Sequence, residues 1–187
     1  LSRVGHSAPG KDGTPYAGWK AAGHHGVRTL FLLCDALLSE YQLPAEFKDS
    51  LSVFVPKGRE EDDEGGAVRD PLATRPLALK NSDNNVIGGV TNFLLKKTTA
   101  RSACALQRGF IPGRQLVENV LDLDTHARAQ GIRDKGSSTP LLAFWDYAAA
   151  FPSVDHSWMF HTLKSAGAPS GLLRLVRGMY AFNCGYL

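Results

Sequence analysis

The sequence predicts an α+β fold, and three observations carry that prediction. Val27, Leu30, Phe31, Cys34, Leu37, Leu38 and Tyr41 recur at the three-and-four spacing of an amphipathic helix. Leu51, Val53 and Val55 alternate with Ser52 and Phe54 just before Pro56, and Pro76 to Lys80 is a second short apolar run, so the pair is expected to form a hairpin-like unit. Helices and strands then follow in the order helix, two strands, two helices, strand, two helices, without the regular alternation of a parallel α/β sheet.

Taken in order, SAPGKDGTPYAGWK is punctuated by Gly and Pro and leads, as an ordered loop, into a short helix before the amphipathic one. The connection from Gly58 to Thr74 is acidic, contains Gly, and is longer than most loops of compact domains, which marks it as mobile or functional. Asn81 to Asn85 suits a helix start, and Val86, Val90, Phe93, Leu94 and Lys97 continue that helix, although Gly88 and Gly89 weaken it by about 1 kcal/mol each. A break at Gly109 to Arg114 precedes a helix from Gln115 to about Gln130. The polar linker GIRDKGSST leads to an apolar run, Leu141 to Trp145, which is expected to be a buried strand covered on both faces. Two helices near Ser157 to Ala166 and Gly171 to Tyr180 complete the series.

The 187 residues are 43% hydrophobic, enough for one good core or for one small domain and part of another. That composition excludes a disordered tail. The opening LSRVGHSAPG has neither an initiator Met nor a signal-peptide core, and MYAFNCGYL stays apolar to Leu187, so both ends are expected to be cuts within a longer protein. The run LFLLCDALL is about half a membrane span and contains Asp35, so no span is expected. Cys34, Cys104 and Cys184 are far apart and match no disulfide framework or zinc spacing, which fits a reducing intracellular compartment, nucleus or cytoplasm. Net charge is +3, and setting aside the five acids Glu60, Glu61, Asp62, Asp63 and Glu64 leaves the remainder at +8, a basic bias compatible with a polyanionic partner.

Most chemistry-bearing clusters have a plain explanation. Gly5, Gly10 and Lys11 approach a phosphate-binding loop, but Asp12 replaces the hydroxyl that would hold Mg²⁺, Pro9 removes an N–H donor, and no strand precedes them. His24 and His25 are adjacent and cannot share a helix face as metal ligands; Asp155, His156 and Ser157 are consecutive instead of converging from separate elements. The histidine pair and the Asp155–Ser157 run are read as surface or capping residues. The acidic run from Glu60 is read as a solvated loop. Asp146 differs, because it ends the apolar run Leu141 to Trp145, where an ionised carboxylate needs a cation, N–H donors or a helix N-terminus. Spacing alone leaves a turn cap and a metal ligand equally open.

An ordered series of motifs resembles the reverse transcriptases of non-LTR, LINE-type retrotransposons. APGKDGTPY with Trp19 resembles the family's opening S-P-G-x-D-G motif. VFVPKG followed by TRPLALKNSDNNVI resembles its paired finger strands, LQRGFIPGRQLVENV its Q-x-G-F-x-x-G-R-x-x-x-[DE]-N-[IV] segment, and LLAFWDYAAAFPSVDHSWM its motif A. The resemblance covers nearly the whole chain. It implies a right-hand polymerase, with fingers over 1–135 and the beginning of the palm over 136–187, truncated before the second catalytic Asp motif. The implied activity is RNA-directed DNA polymerisation with an RNA template, a DNA primer and deoxynucleoside triphosphates, and with no membrane.

Nucleotide addition is an in-line phosphoryl transfer in which two divalent ions, roughly 4 Å apart, lower the pKa of the primer 3′-hydroxyl and stabilise the departing pyrophosphate. The resemblance therefore implies two Mg²⁺ ions, with Mn²⁺ as a substitute. It makes Asp146 the catalytic metal-binding carboxylate, the backbone carbonyl of Tyr147 a further ligand, and Phe151 the bulky residue that excludes a ribose 2′-hydroxyl. Lys57 and Arg75 match finger residues that reach the nucleotide triphosphate. Gln107, Phe110 and Arg114 lie in a segment used near the template. Two positions depart from the family pattern: Pro152 stands where many relatives have a second Asp, and Asn85 where Lys is usual. The aromatic-Ala-Asp-Asp hairpin is absent, so with one of three carboxylates the isolated chain is expected to be inactive. A group II intron-type reverse transcriptase is the runner-up, and a degenerate remnant that only binds nucleic acid is the alternative outside the enzyme class. A viral RNA-dependent RNA polymerase fits less well, because its gate position is usually an Asp.

Overall fold

The computed structural model describes residues 8–58, 68–133, 141–146 and 153–187. They form two compact units, one comprising the described residues up to Val90 together with His156–Leu187, the other those from Thr91 to Asp155. The mixed α and β content agrees with the predicted class.

In the first unit α1 (Tyr16–Ala21) leads directly into α2 (Gly23–Leu38). The two helices approach closely at Gly26, where a Cβ would lie 2.8 Å from the Trp19 carbonyl oxygen. α2 is shorter than its apolar spacing predicts. It ends in a Schellman turn, with the Glu40 N–H donating to the Leu37 carbonyl and the Tyr41 N–H to the Ala36 carbonyl. This turn sets Glu40 at a φ of 61° and leaves Tyr41 exposed. Val27 and Phe31 are exposed as well, so the helix buries a narrower stripe than its pattern offers, with Leu30 and Leu37 at its centre.

A short helix, α3 (Ala45–Lys48), which the sequence reading did not anticipate, precedes β1 (Ser50–Pro56). β1 pairs antiparallel with β2 (Thr74–Lys80), in register from Ser50 opposite Lys80 to Pro56 opposite Thr74. The expected hairpin-like unit is present, and Pro71–Ala73 forms a 3₁₀ turn just before β2. α4 (Ser82–Ser102) starts within the expected segment and runs unbroken through Gly88 and Gly89. Gly88 has a packing reason, since a Cβ there would sit 3.3 Å from Met179 Cε.

α6 (His156–Ser165) and α7 (Ser170–Tyr180) lie close to their expected positions. The third strand of the sheet is β3 (Gly185–Tyr186), parallel to β1, which gives the order β2-β1-β3. The core is small: Leu37, Phe47, Ile87 and Leu175 are buried, with Leu33, Cys34, Leu38, Leu43, Val176 and Met179 packed around them. α7 reaches this core through Gly178, where a Cβ would be 2.6 Å from Leu37 Cδ2.

The second unit holds the C-terminal part of α4, a loop, and α5 (Val117–Arg133), which begins two residues later than expected. No residue of α5 is buried. The expected strand Leu141–Trp145 is not formed: the segment has no regular structure, and Leu141 and Trp145 are 93% and 87% exposed. A strand needs a neighbour for its N–H and C=O groups, and among the described residues none pairs with this segment. All three cysteines are free. No helix among the described residues is long and apolar enough to cross a membrane.

Candidate functional site

The opening motif is fastened to the start of α4 by a polar network. Asn81, 3% exposed, donates through Nδ2 to the Glu46 carbonyl at 2.7 Å and accepts the Asp12 N–H on Oδ1 at 3.2 Å. Ser82, 1% exposed, accepts from Trp19 Nε1 at 2.7 Å and donates to the Thr14 carbonyl at 2.8 Å. A Cβ on Gly10 would fall 2.4 Å from Asn81 Oδ1, so only glycine fits against this side chain. Lys11 pairs with the buried Asp49 at 2.8 Å and lies 3.2 Å from the Tyr186 ring centroid. The hydrogen bond to Asp49, more than the opposing desolvation, raises its pKa. A lysine engaged in this way is a fold residue, which agrees with the rejection of a phosphate loop. Asp49, Asn81 and Ser82 were not singled out in the sequence, because their signal is burial of small polar side chains, which spacing does not reveal.

Lys57 and Arg75 are brought to the same end of the β1-β2 hairpin. Arg75 opposes Val55 in the ladder, and the Lys57 N–H extends that ladder by donating to the Ala73 carbonyl at 2.9 Å. Lys57 Nζ donates to the Leu72 carbonyl at 2.8 Å, which orients an exposed ammonium beside the 3₁₀ turn. Arg75 is exposed and has no ion pair among the described residues. The hairpin end thus carries two exposed cations, one held by a carbonyl and one without an ion pair among the described residues.

The second unit organises the Gln107–Arg114 loop with two arginines. Arg114 donates to the carbonyls of Ala100 at 3.2 Å, Ala103 at 3.1 Å and Gln107 at 2.7 Å, and to that of Cys104. It thereby satisfies carbonyls at the end of α4 that have no partner within the helix, and it sets a positive charge at the negative pole of the helix dipole. Arg108 grips the first turns of α5, with Glu118 at 3.0 Å, Asp122 at 2.6 Å and Asn119 at 3.1 Å. Glu118 and Asn119 fill the [DE]-N positions of the motif, so the spacing of Arg108, Arg114 and this pair is explained by a clasped loop. Sequence reasoning did not identify Arg108. Gln107 turns back to the Gly109 carbonyl at 3.0 Å. Phe110, held between the two clasps, is 97% exposed and has a φ of 62°. A left-handed backbone at a bulky residue carries strain, and an aromatic ring displayed on such a support is suited to stacking.

Asp146 ends the 141–146 segment in the second unit and is exposed. The expectation that it is a buried charge in need of a partner is therefore corrected, since an exposed carboxylate is solvated by water. The turn that it was expected to cap as an alternative lies outside the described residues. Among the described residues no group of three or more His, Cys, Asp or Glu side chains is placed to hold a metal ion. Tyr147, Phe151, Pro152 and the acidic run from Glu60 to Glu64 lie outside the described residues. His24 and His25 are exposed at the start of α2, in accord with their reading as surface residues.

No protein-family description matches the chain. Compared with individual proteins, the chain is 26% identical over 184 residues to the retrovirus-related Pol polyprotein from type-2 retrotransposable element R2DM of Drosophila melanogaster. The match covers 93% of this chain and 15% of that protein, so the chain spans about a seventh of the relative's length. The chain is thus distantly similar, over most of its length, to part of a retrotransposon Pol polyprotein.

Proposed function

We propose that this chain belongs to a reverse transcriptase of the non-LTR retrotransposon kind and carries its fingers, over 1–135, and the beginning of its palm, over 136–187. The single observation that carries this reading is the similarity to a retrotransposon Pol polyprotein across 93% of the chain. It is supported by the way the opening motif closes on Asn81 and Ser82 of the second finger-strand motif, and the loop motif closes on itself through its own arginines.

In this reading Lys57 and Arg75 receive the triphosphate of an incoming deoxynucleotide, where their charge offsets that of the phosphates and the guanidinium binds two oxygens at once. Phe110 stacks on a template base, with Gln107 beside it. Arg114 is a positioning residue, because its donors are engaged by the end of α4 and it acts on the template through the loop it holds. Phe151 packs under the sugar and rejects a 2′-hydroxyl. Asp146 and the carbonyl of Tyr147 supply hard oxygen donors of the type Mg²⁺ takes. Among the described residues no group of three or more His, Cys, Asp or Glu side chains gathers, so they do not make up a complete two-ion site. In this reading the template, primer and nucleotide are the partners of the polymerase.

The test is RNA-templated primer extension by a polypeptide that carries this chain together with the segment bearing the remaining carboxylates. Arg75→Gln is expected to raise the KM for deoxynucleotide about tenfold, the equivalent of about 1.4 kcal/mol of lost binding, with a smaller change in kcat. An unchanged KM would remove Arg75 from the nucleotide site.

A further inference from the structure

A second anionic ligand site is indicated in the first unit, in a cleft of about 170 Å³ between the α2–α3 connection and α7. Lys48, Arg174 and Arg177 line it against a single carboxylate, Glu40. Lys48 is only 8% exposed, yet among the described residues no carboxylate pairs with its ammonium, which lies 5.5 Å from the Phe182 ring centroid. A lysine that is buried along its stem and opens into a cleft without a counter-ion is attractive to an anion. Arg174, which also lines the cleft, is fixed by donating from Nε to the Leu38 carbonyl at 2.7 Å. Arg177 lies 5.5 Å from the Phe160 ring centroid, within reach of a cation–π contact.

The rim adds aromatic surface. Tyr41 is 72% exposed and Phe182 is 85% exposed, and both line the cleft. Phe182 has a φ of 56°, so a bulky ring is displayed from a backbone conformation that favours glycine. Together with Glu40, two of the three non-glycine residues with positive φ among the described residues border this one cleft. The Glu40 φ belongs to the turn that ends α2, and the cations and exposed rings around the hollow are what point to a ligand. Its size decides which kind. Pockets that enclose a whole small molecule run to about 300–1,000 Å³, so this cleft admits one group of a larger ligand.

We propose that the cleft binds a single-stranded nucleic-acid segment, with one phosphate among Lys48, Arg174 and Arg177 and a neighbouring base stacked on Phe182. Cations that track a backbone beside aromatic stacking platforms are the recurrent means of holding single strands. The site uses none of the residues assigned to polymerisation, so it stands or falls separately from that reading.

The test is fluorescence anisotropy of the 187-residue chain with labelled ten-nucleotide single-stranded RNA and DNA across a salt series, after circular dichroism has shown that each variant folds. Arg177→Gln is expected to weaken binding about five- to tenfold and to lower the salt slope by about one released ion. Phe182→Gly, which relieves the backbone, is expected to weaken binding about fivefold while leaving that slope intact. Arg128→Gln, a solvent-exposed cation of α5, is expected to change affinity less than twofold. Whichever strand binds more tightly, RNA or DNA, is identified as the occupant. Unchanged affinity in Arg177→Gln or in Phe182→Gly overturns the proposal. So does displacement of the strand by poly-glutamate of equal charge, which assigns the cleft to an acidic protein segment, or by adenosine monophosphate at the same concentration of phosphate, which assigns it to a free nucleotide.

Discussion

At Asp83 the chain half-buries a carboxyl near a second acid, Asp12; desolvation first, and the like charge after it, push its pKa above the ordinary 3.8, against the lowering effect of the Asn84 N–H. The folded state therefore holds this proton more tightly than the unfolded chain. Stability declines as pH rises from 3.8 through the raised folded value, so the ionised carboxyl is carried at a cost at neutral pH. Asp83→Asn keeps an oxygen to accept the Asn84 N–H, which the native carboxylate does at 2.6 Å. The variant is expected to melt at a higher temperature than the parent at pH 7, with the difference closing as pH falls toward 3.8. A lower melting temperature at pH 7 would show that the charge is used by the fold. Lys80 behaves conversely: burial lowers its pKa while it donates to the Lys48 carbonyl at 2.7 Å. Both residues adjoin the network of Gly10, Asn81 and Ser82, whose residue types are visible in the sequence but whose reason for being there is burial.

Among the elements, the α4–α5 connection is the one whose stability rests most clearly on a single side chain. Arg114 reaches four carbonyls from one guanidinium, a geometry that a lysine's compact ammonium does not reproduce. Arg114→Lys is expected to lose about 1–2 kcal/mol, which hydrogen exchange reads as faster exchange of the 100–119 amides, while the amides of β1 and β2 keep their protection. Unchanged protection would show that the loop is held by Arg108 alone. The hairpin and the helices α2, α4, α5, α6 and α7 were legible in the sequence because each carries local periodicity, a capping segment or a turn signal. α3 and β3 were not, since each is too short to repeat a pattern and exists through its neighbours: the Ser50 N–H, for example, donates to the Cys184 carbonyl at 2.9 Å. The run Leu141 to Trp145 carried the opposite error. Its apolar pattern states that both faces suit burial, but a strand is made by a partner strand, and pattern carries no information about that partner.

For the whole molecule, the small core contrasts with a large apolar surface. Among the described residues four form the buried cluster, while Phe93, Leu94, Val120, Leu121, Phe144 and Trp145 are all exposed. The candidate site was legible to a different degree in each unit. Lys57 and Arg75 were chosen from the sequence and do share one hairpin end, because register follows from the strand pattern and the spacing of the connection. Gln107, Phe110 and Arg114 were chosen as a group, and they do share one loop, but only Phe110 is left free to meet a ligand, a distinction that depends on which donors the helix end consumes. Asp146 was identified from its place after an apolar run, yet its exposure removes the electrostatic argument and leaves motif resemblance as its support. The most direct measurement is therefore made on Asp146, in the longer polypeptide described above, by comparing RNA-templated primer extension with RNA binding. Asp146→Ala is expected to abolish extension, a loss of at least about a thousandfold, while RNA affinity stays within about twofold. Extension retained by the variant would contradict the assignment of this chain to a polymerase active site.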